Sequence, residues 1–214
     1  MSLRVKICGI TNRTDAEAAV RAGADALGFN FYPRSPRYVS FETLPSLLDE
    51  LPPFVEPVGL FVQQPWSEVL AAFERHPELR SIQNHADTPT PCERRGFRRW
   101  VPAFPVRDSA SVEQVRAFLR RCREAETMPA AILVDAHVPG SFGGTGQTAP
   151  WHLLEGVDFG VPMILAGGLN PDNVAEAVRR VRPYAVDVAS GVESSPGKKD
   201  SDKMRRFVDA ARAA

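Results

Sequence analysis

Cysteine is scarce in this chain. Cys8, Cys92 and Cys122 are the only three among 214 residues, widely spaced and odd in number. That pattern excludes a secreted disulfide framework, and no CxxC spacing offers a metal site. A reducing cytoplasm is the expected setting. Histidine is also sparse: His76, His85, His137 and His152 show no ligand pairing, so no metal is expected. Net charge is absent, with 26 Lys plus Arg against 26 Asp plus Glu. A neutral chain lacks the general attraction for polyanions, so no nucleic-acid partner is expected. A local cationic patch for a small anion stays open. No run of about 18 uncharged apolar residues occurs, which argues against a transmembrane helix and a membrane partner. The opening Met1-Ser2-Leu3-Arg4-Val5-Lys6-Ile7 has no apolar core before a small-residue cleavage site, so no secretory signal peptide is expected. No strand is followed by GxGxxG, which weakens a dinucleotide-binding reading.

What is present suits a soluble globular protein: 43% hydrophobic and 24% charged residues. At about 100–200 residues per domain, one domain over residues 1–214 is expected. Short β-branched or aromatic runs alternate with Ala/Glu/Arg-rich stretches of helical spacing. The strands are expected at Val5–Cys8, Ala26–Phe31, Pro57–Val62, Ser81–His85, Arg99–Phe104, Ala131–Asp135, Met163–Ala166 and Ala185–Ala189. Thr14 to Glu17 matches a capping box for a first helix that Gly23 ends. Further helices are expected near 40–50, 67–75, 111–125, 172–181 and 201–213, with Asn170-Pro171 as the start signal of the fifth. Residues 89–96 hold at best a short helix. Several strands are apolar on both faces, as a helix-covered parallel sheet requires. Eight strand–helix units predict a single (β/α)8 barrel, with an open doubly wound sheet as the competing fold.

In a barrel the reactive face is the carboxyl end of the strands. Cys8, His85 and Asp135 end strands one, four and six, and Asp187 lies near the end of strand eight. Cys8 reads either as a buried core residue or as a thiolate base needing positive charge nearby. Asp135 reads as a helix cap or a functional carboxylate, and the Gly-rich loop that follows it favours function. His85 could exchange protons, donate a hydrogen bond or serve structure. Arg34 and Arg37 are solvated charges or, at a barrel mouth, a carboxylate clamp. Gly167-Gly168 and Ser190-Gly191 follow strands seven and eight, where barrels hold phosphate on backbone amides. The stretch Val138–Gly146 reads as a mobile, substrate-facing loop. The residues alone thus predict a barrel for a small phosphorylated, carboxylated metabolite, acting by acid–base chemistry with no metal or redox cofactor.

Lys6-Ile7-Cys8-Gly9-Ile10-Thr11 resembles the opening signature of the phosphoribosylanthranilate isomerase family of tryptophan biosynthesis. So do Gly23–Phe29, Tyr32–Tyr38, Leu133–Asp135, Ala166–Asn173, Val186–Glu193 and Pro196–Asp200, so that the resemblance covers essentially the whole chain. It implies a (β/α)8 barrel that converts N-(5-phosphoribosyl)anthranilate to its 1-deoxyribulose form by an Amadori rearrangement, without cofactor and without an obligate protein partner. By the same resemblance Cys8 is the general base, Asp135 the general acid and Arg37 the contact to the anthranilate moiety. His85 and Asp187 are further substrate-binding positions, and Gly167, Gly168, Ser190 and Gly191 hold the phosphate. Strand four departs from the family's usual Val-Gln-Leu-His-Gly: it reads Ile82-Gln83-Asn84-His85-Ala86. Gln63 stands where asparagine is common. Two other readings compete. A barrel that also takes the histidine-pathway aminoaldose would use an aspartate where Cys8 stands. A non-catalytic phosphate-binding paralogue would bind without turnover.

Overall fold

The computed structural model describes residues 3–49, 51–136 and 150–214. Eight parallel strands close into a barrel in sequence order: β1 (Arg4–Cys8), β2 (Ala26–Asn30), β3 (Glu56–Val62), β4 (Ser81–His85), β5 (Trp100–Pro105), β6 (Ile132–Asp135), β7 (Met163–Ala166) and β8 (Ala185–Val188). β8 pairs with β1 and shuts the ring. The open sheet is thereby excluded.

The helices are fewer than the strands. Among the described residues there are six: α1 (Arg13–Arg21), α2 (Leu44–Leu48), α3 (Trp66–Arg75), α4 (Ser109–Glu124), α5 (Val174–Val181) and α6 (Ser201–Arg212). The expectation of eight complete strand–helix units is corrected here. No helix stands between β4 and β5, and a 3-10 turn at Trp151–Leu153 is the only helical element described between β6 and β7. The expected loop Val138–Gly146 lies outside the described residues, as does His137.

Local chemistry explains the other shifts. α1 is capped by Asn12, whose Oδ1 accepts the Asp15 N–H at 2.9 Å while its amide donates to Asp15 Oδ2 at 2.9 Å. This reciprocal pair replaces the expected Thr14–Glu17 box, and Glu17 instead accepts from Arg13 at 2.9 Å. α2 is a short piece of the expected 40–50 helix, because Pro45 has no N–H to donate and suits only a first turn. Asn170 does start the turn before α5: its Oδ1 accepts from Asp172 and Asn173, and the regular helix follows at Val174. A hairpin that the strand pattern did not announce, β9 (Glu193–Ser195) with β10 (Lys198–Lys199), precedes α6.

Alternation along the strands divides the core in two. Val5, Ile7, Leu27, Phe29, Ile82, Trp100, Phe104, Ile132 and Val186 point outward and pack under the helices. Val101, Ala103, Ala131, Leu133 and Ala166 form a small apolar cluster inside the barrel, on β5 to β7. On β1, β4 and β8 buried polar residues also point inward: Lys6, Gln83 and Asp187. The barrel interior therefore mixes apolar side chains with a few charged or amide-bearing ones.

Candidate active site

The odd residues of β1 feed the outer core, so Lys6 and Cys8 face inward together. The register sets Lys6 beside Asp187 of β8 and Cys8 beside Gly28 of β2. Lys6 Nζ donates to Asp187 Oδ1 at 2.9 Å, with both side chains under a tenth exposed. Gly28 leaves the room for this. A β-carbon there would lie 2.7 Å from Cys8 Sγ and 3.0 Å from Lys6 Nζ. Burial alone would discharge Lys6, but the attraction of Asp187 and of the Cys8 sulfur outweighs it, and Lys6 sits above its ordinary value. Burial pushes the Cys8 thiol up; Lys6 pulls against it, Asp187 pushes with it, and the net direction is up.

β4 and β6 supply the next groups. Gln83 and His85 are two apart, so they share the inner face, and Gln83 Nε2 stands 2.7 Å from His85 Nε2. An amide nitrogen only donates, so the ring nitrogen accepts and the imidazole proton sits on Nδ1. Burial and then the Lys6 charge lower His85 below its ordinary value, which keeps this ring neutral. Asp135 ends β6, half-buried, and lines with His85, Gln63 and Phe104 a cavity of about 310 Å³. Cys8 and Asp135 thus stand on the rim of one barrel, separated on that side by β7 and β8.

Arg37 reaches the same mouth from the loop after β2. Its stem lies against Gly9, where φ is +77° and where a β-carbon would meet Arg37 Cδ. Its guanidinium grips Glu193 of β9, Nε to Oε1 and Nη2 to Oε2, both at 2.7 Å. Lys199, with no exposed side-chain surface, donates to Glu193 Oε1 at 2.9 Å and to the Ala189 carbonyl at 3.1 Å. Burial of Glu193 is outweighed by Arg37 and Lys199, and its carboxyl lies below the usual range. The hairpin is tied down in turn. Thr11 Oγ1 donates to the Gly197 carbonyl at 2.7 Å, and the Lys199 N–H to Asp15 Oδ2 at 2.8 Å.

The loops after β7 and β8 meet each other. Gly167 and Gly168 both have positive φ, +94° and +65°. Among the described residues their N–H groups carry no hydrogen bond. Gly191 sits in the 3-10 turn Ser190–Val192, so close to the Leu169 carbonyl that any β-carbon would collide with it. Gly168 and Ser190 are exposed, Gly167 and Gly191 half-buried.

Every expected site residue therefore lies at or beside the carboxyl ends of the strands. Cys8 and Asp187 join through Lys6, His85 shares its cavity with Asp135, and the two glycine loops touch. Arg34 instead lies over the Tyr32 ring, 5.0 Å from its centre. Cys92 is buried, and all three cysteines are free. Lys6, Gln83, Glu193 and Lys199 were not singled out from the sequence. A lysine inside an apolar strand, two residues before Cys8, was the signal for the first. A surface groove of about 1120 Å³ among Leu3, Pro162, Tyr184 and Ala214 opens at the other end of the barrel and holds none of these groups. Among the described residues no group of three His, Cys, Asp or Glu is arranged to hold a metal, and no helix is long and apolar enough to cross a membrane.

Fold and site together define a (β/α)8-barrel with a thiol, a carboxylate and two glycine-bearing loops on its carboxyl face. The family model described as N-(5'-phosphoribosyl)anthranilate isomerase matches residues 5–210. The chain belongs to that family. It is 46% identical over 214 residues to the N-(5'-phosphoribosyl)anthranilate isomerase of Trichlorobacter lovleyi, covering 99% of each. It is similar in structure to the phosphoribosyl anthranilate isomerase of Thermotoga maritima, with a TM-score of 0.82 and 37% identity over 99% of this chain and all of that one. A further phosphoribosyl anthranilate isomerase structure, with a TM-score of 0.75 and 34% identity over 99% of this chain and all of that one, holds reduced 1-(o-carboxyphenylamino)-1-deoxyribulose 5-phosphate.

Proposed function

We propose that this chain isomerises N-(5'-phosphoribosyl)anthranilate to 1-(2-carboxyphenylamino)-1-deoxyribulose 5-phosphate, a step of tryptophan biosynthesis, in the cytoplasm. The observation that carries the reading is the family match over residues 5–210 with Cys8 facing inward at the end of β1. In this reading Asp135 protonates the ring oxygen, the C1–O bond breaks, and the nitrogen lone pair forms a protonated imine. The Cys8 thiolate then takes the proton from C2. The C2–H pair becomes C1=C2, the iminium pair returns to nitrogen, and the resulting enolamine tautomerises to the aminoketone. The imine nitrogen is the electron sink, so the residues named here suffice for each proton transfer.

The remaining groups bind. Arg37 keeps three N–H bonds beyond the two given to Glu193, and these face the anthranilate carboxylate in this reading. The amides of Gly167, Gly168, Ser190 and Gly191 take the phosphate, helped by the close approach that glycine permits. His85 donates from Nδ1, and Asp187 orients the sugar. The test is the loss of phosphoribosylanthranilate fluorescence with freshly made substrate, against a no-enzyme control. Decay faster than the control, with the deoxyribulose phosphate as product, supports the isomerase. Decay at the control rate by folded protein overturns it in favour of a binding paralogue.

A further inference from the structure

We propose that Lys6 is the positioning residue of the base: its buried ammonium, anchored by Asp187, stands against Cys8 and supports the thiolate. The proposal rests on Cys8 acting as the base. A lysine at this depth is costly, and apolar residues fill the matching inward positions across the barrel, at Val101 and Leu133. The fold gives up a side chain at Gly28 to admit both Nζ and Sγ. Asp187, next to Lys6 in the register, fixes the ammonium at 2.9 Å. The cation thus lies where a thiolate needs one.

Other charges face this group. Asp187 repels a thiolate, whereas Lys199 attracts one. Arg37 sits on Gly9 and interacts electrostatically with the sulfur, and Glu193 offsets part of both cations. His85 is neutral and interacts electrostatically with Lys6, Asp187 and Asp135. Of these, Lys6 is the cation that stands within the barrel beside Sγ. Its benefit is greatest before proton transfer, when sulfur is negative and S–H has not formed. A lower thiol basicity reduces the rate less than the larger thiolate population raises it, because thiolate reactivity depends only fractionally on basicity.

The two members of the pair act on Cys8 with opposite signs, and that gives the test. With Cys92 and Cys122 replaced by alanine, Cys8 is the one thiol. Its titration is followed by thiolate ultraviolet absorbance and by iodoacetamide alkylation from about pH 6 to about pH 11. Lys6→Met is expected to move the Cys8 titration up by about 1–3 pH units, and Asp187→Asn to move it down. Lys6→Arg, which keeps the charge, restores most of the shift. Should Lys6→Met fail to melt cooperatively, Lys6→Gln, which still donates to Asp187, carries the same expectation. A pair that only braces the strands would shift the titration in one direction or not at all, and either result overturns the proposal. Full turnover by Cys8→Ala overturns the base reading itself, whichever way the thiol titrates. An unshifted thiol together with an inactive Cys8→Ala overturns the role of Lys6 alone.

Discussion

Arg37 and Glu193, 156 positions apart, are joined by two parallel hydrogen bonds of 2.7 Å. The guanidinium plane is set by an internal carboxylate before any substrate arrives. Glu193→Gln is expected to keep one of the two bonds and lose the charge, letting Arg37 turn. KM should rise by about 10- to 150-fold, as for a charged hydrogen bond worth about 1.5–3 kcal/mol, with kcat less affected. The carboxyl also carries stability. Its folded value lies below the ordinary one, so its contribution is present above about pH 4.3 and fades as pH falls through the folded value. Melting curves of the two proteins should differ at neutral pH and converge in acid.

Cys8→Ala and Asp135→Asn are each expected to lower kcat by about 10²–10⁴ while leaving the melting transition cooperative. Steady-state rates beside circular dichroism melts check this, and near-native turnover in either variant would remove its assigned role.

The pH profile follows from the buried thiol. Cys8 is pushed above its ordinary value, so at neutral pH the thiolate is the minor form. For the free enzyme, the rate of iodoacetamide alkylation at Cys8 should climb about tenfold per pH unit on the alkaline side of neutrality and level off above the thiol's ordinary range. A flat alkylation profile between about pH 7 and about pH 9 would rule out a thiol with this environment.

Gly191→Ala places a methyl group against the Leu169 carbonyl and must push the two glycine-bearing loops apart. Weaker competitive inhibition by inorganic phosphate, a raised KM and a lower melting temperature are expected together. Unchanged phosphate inhibition would place the phosphate elsewhere.

Two departures from the family pattern should be improvable. Asn84 is buried on the outer side of β4, and its Oδ1 has no partner among the described residues. Asn84→Leu is expected to raise stability by about 1–3 kcal/mol. Gln63 holds φ at +58°, a left-handed conformation that asparagine tolerates better. Gln63→Asn should add on the order of 0.5 kcal/mol. Denaturant midpoints measure both.

The strands were legible because their apolar runs are dense, and all eight fall within a residue or two of expectation. The helices were less so. Pro45 cut α2 short, Asn12 took the cap from Thr14, and the segment after β4 carries too little amphipathic pattern to form a helix. The candidate residues Cys8, His85, Asp135 and Asp187 were placed at or near strand ends by position alone, and the structure sets them there. Their partners could not be placed this way. Glu193 and Lys199 reach Arg37 only because a hairpin folds back onto the Thr11 and Asp15 region, and nothing local in the sequence announces a contact across so long a stretch of chain. Lys6 was visible in its motif, but its importance came from the barrel's closure, which sets β8 against β1.

That closure has a consequence for synthesis. Lys6 meets Asp187 across 181 positions, and Arg37 meets Glu193 across 156. At a ribosomal pace of ~5–20 residues per second, Lys6 is made about 10–40 s before its counter-ion. Throughout that interval the nascent chain carries a lysine destined for the interior with nothing to neutralise it. The first half of the polypeptide therefore cannot settle into its final arrangement and wait. The catalytic face comes into being at the end of translation, when the last quarter of the chain arrives.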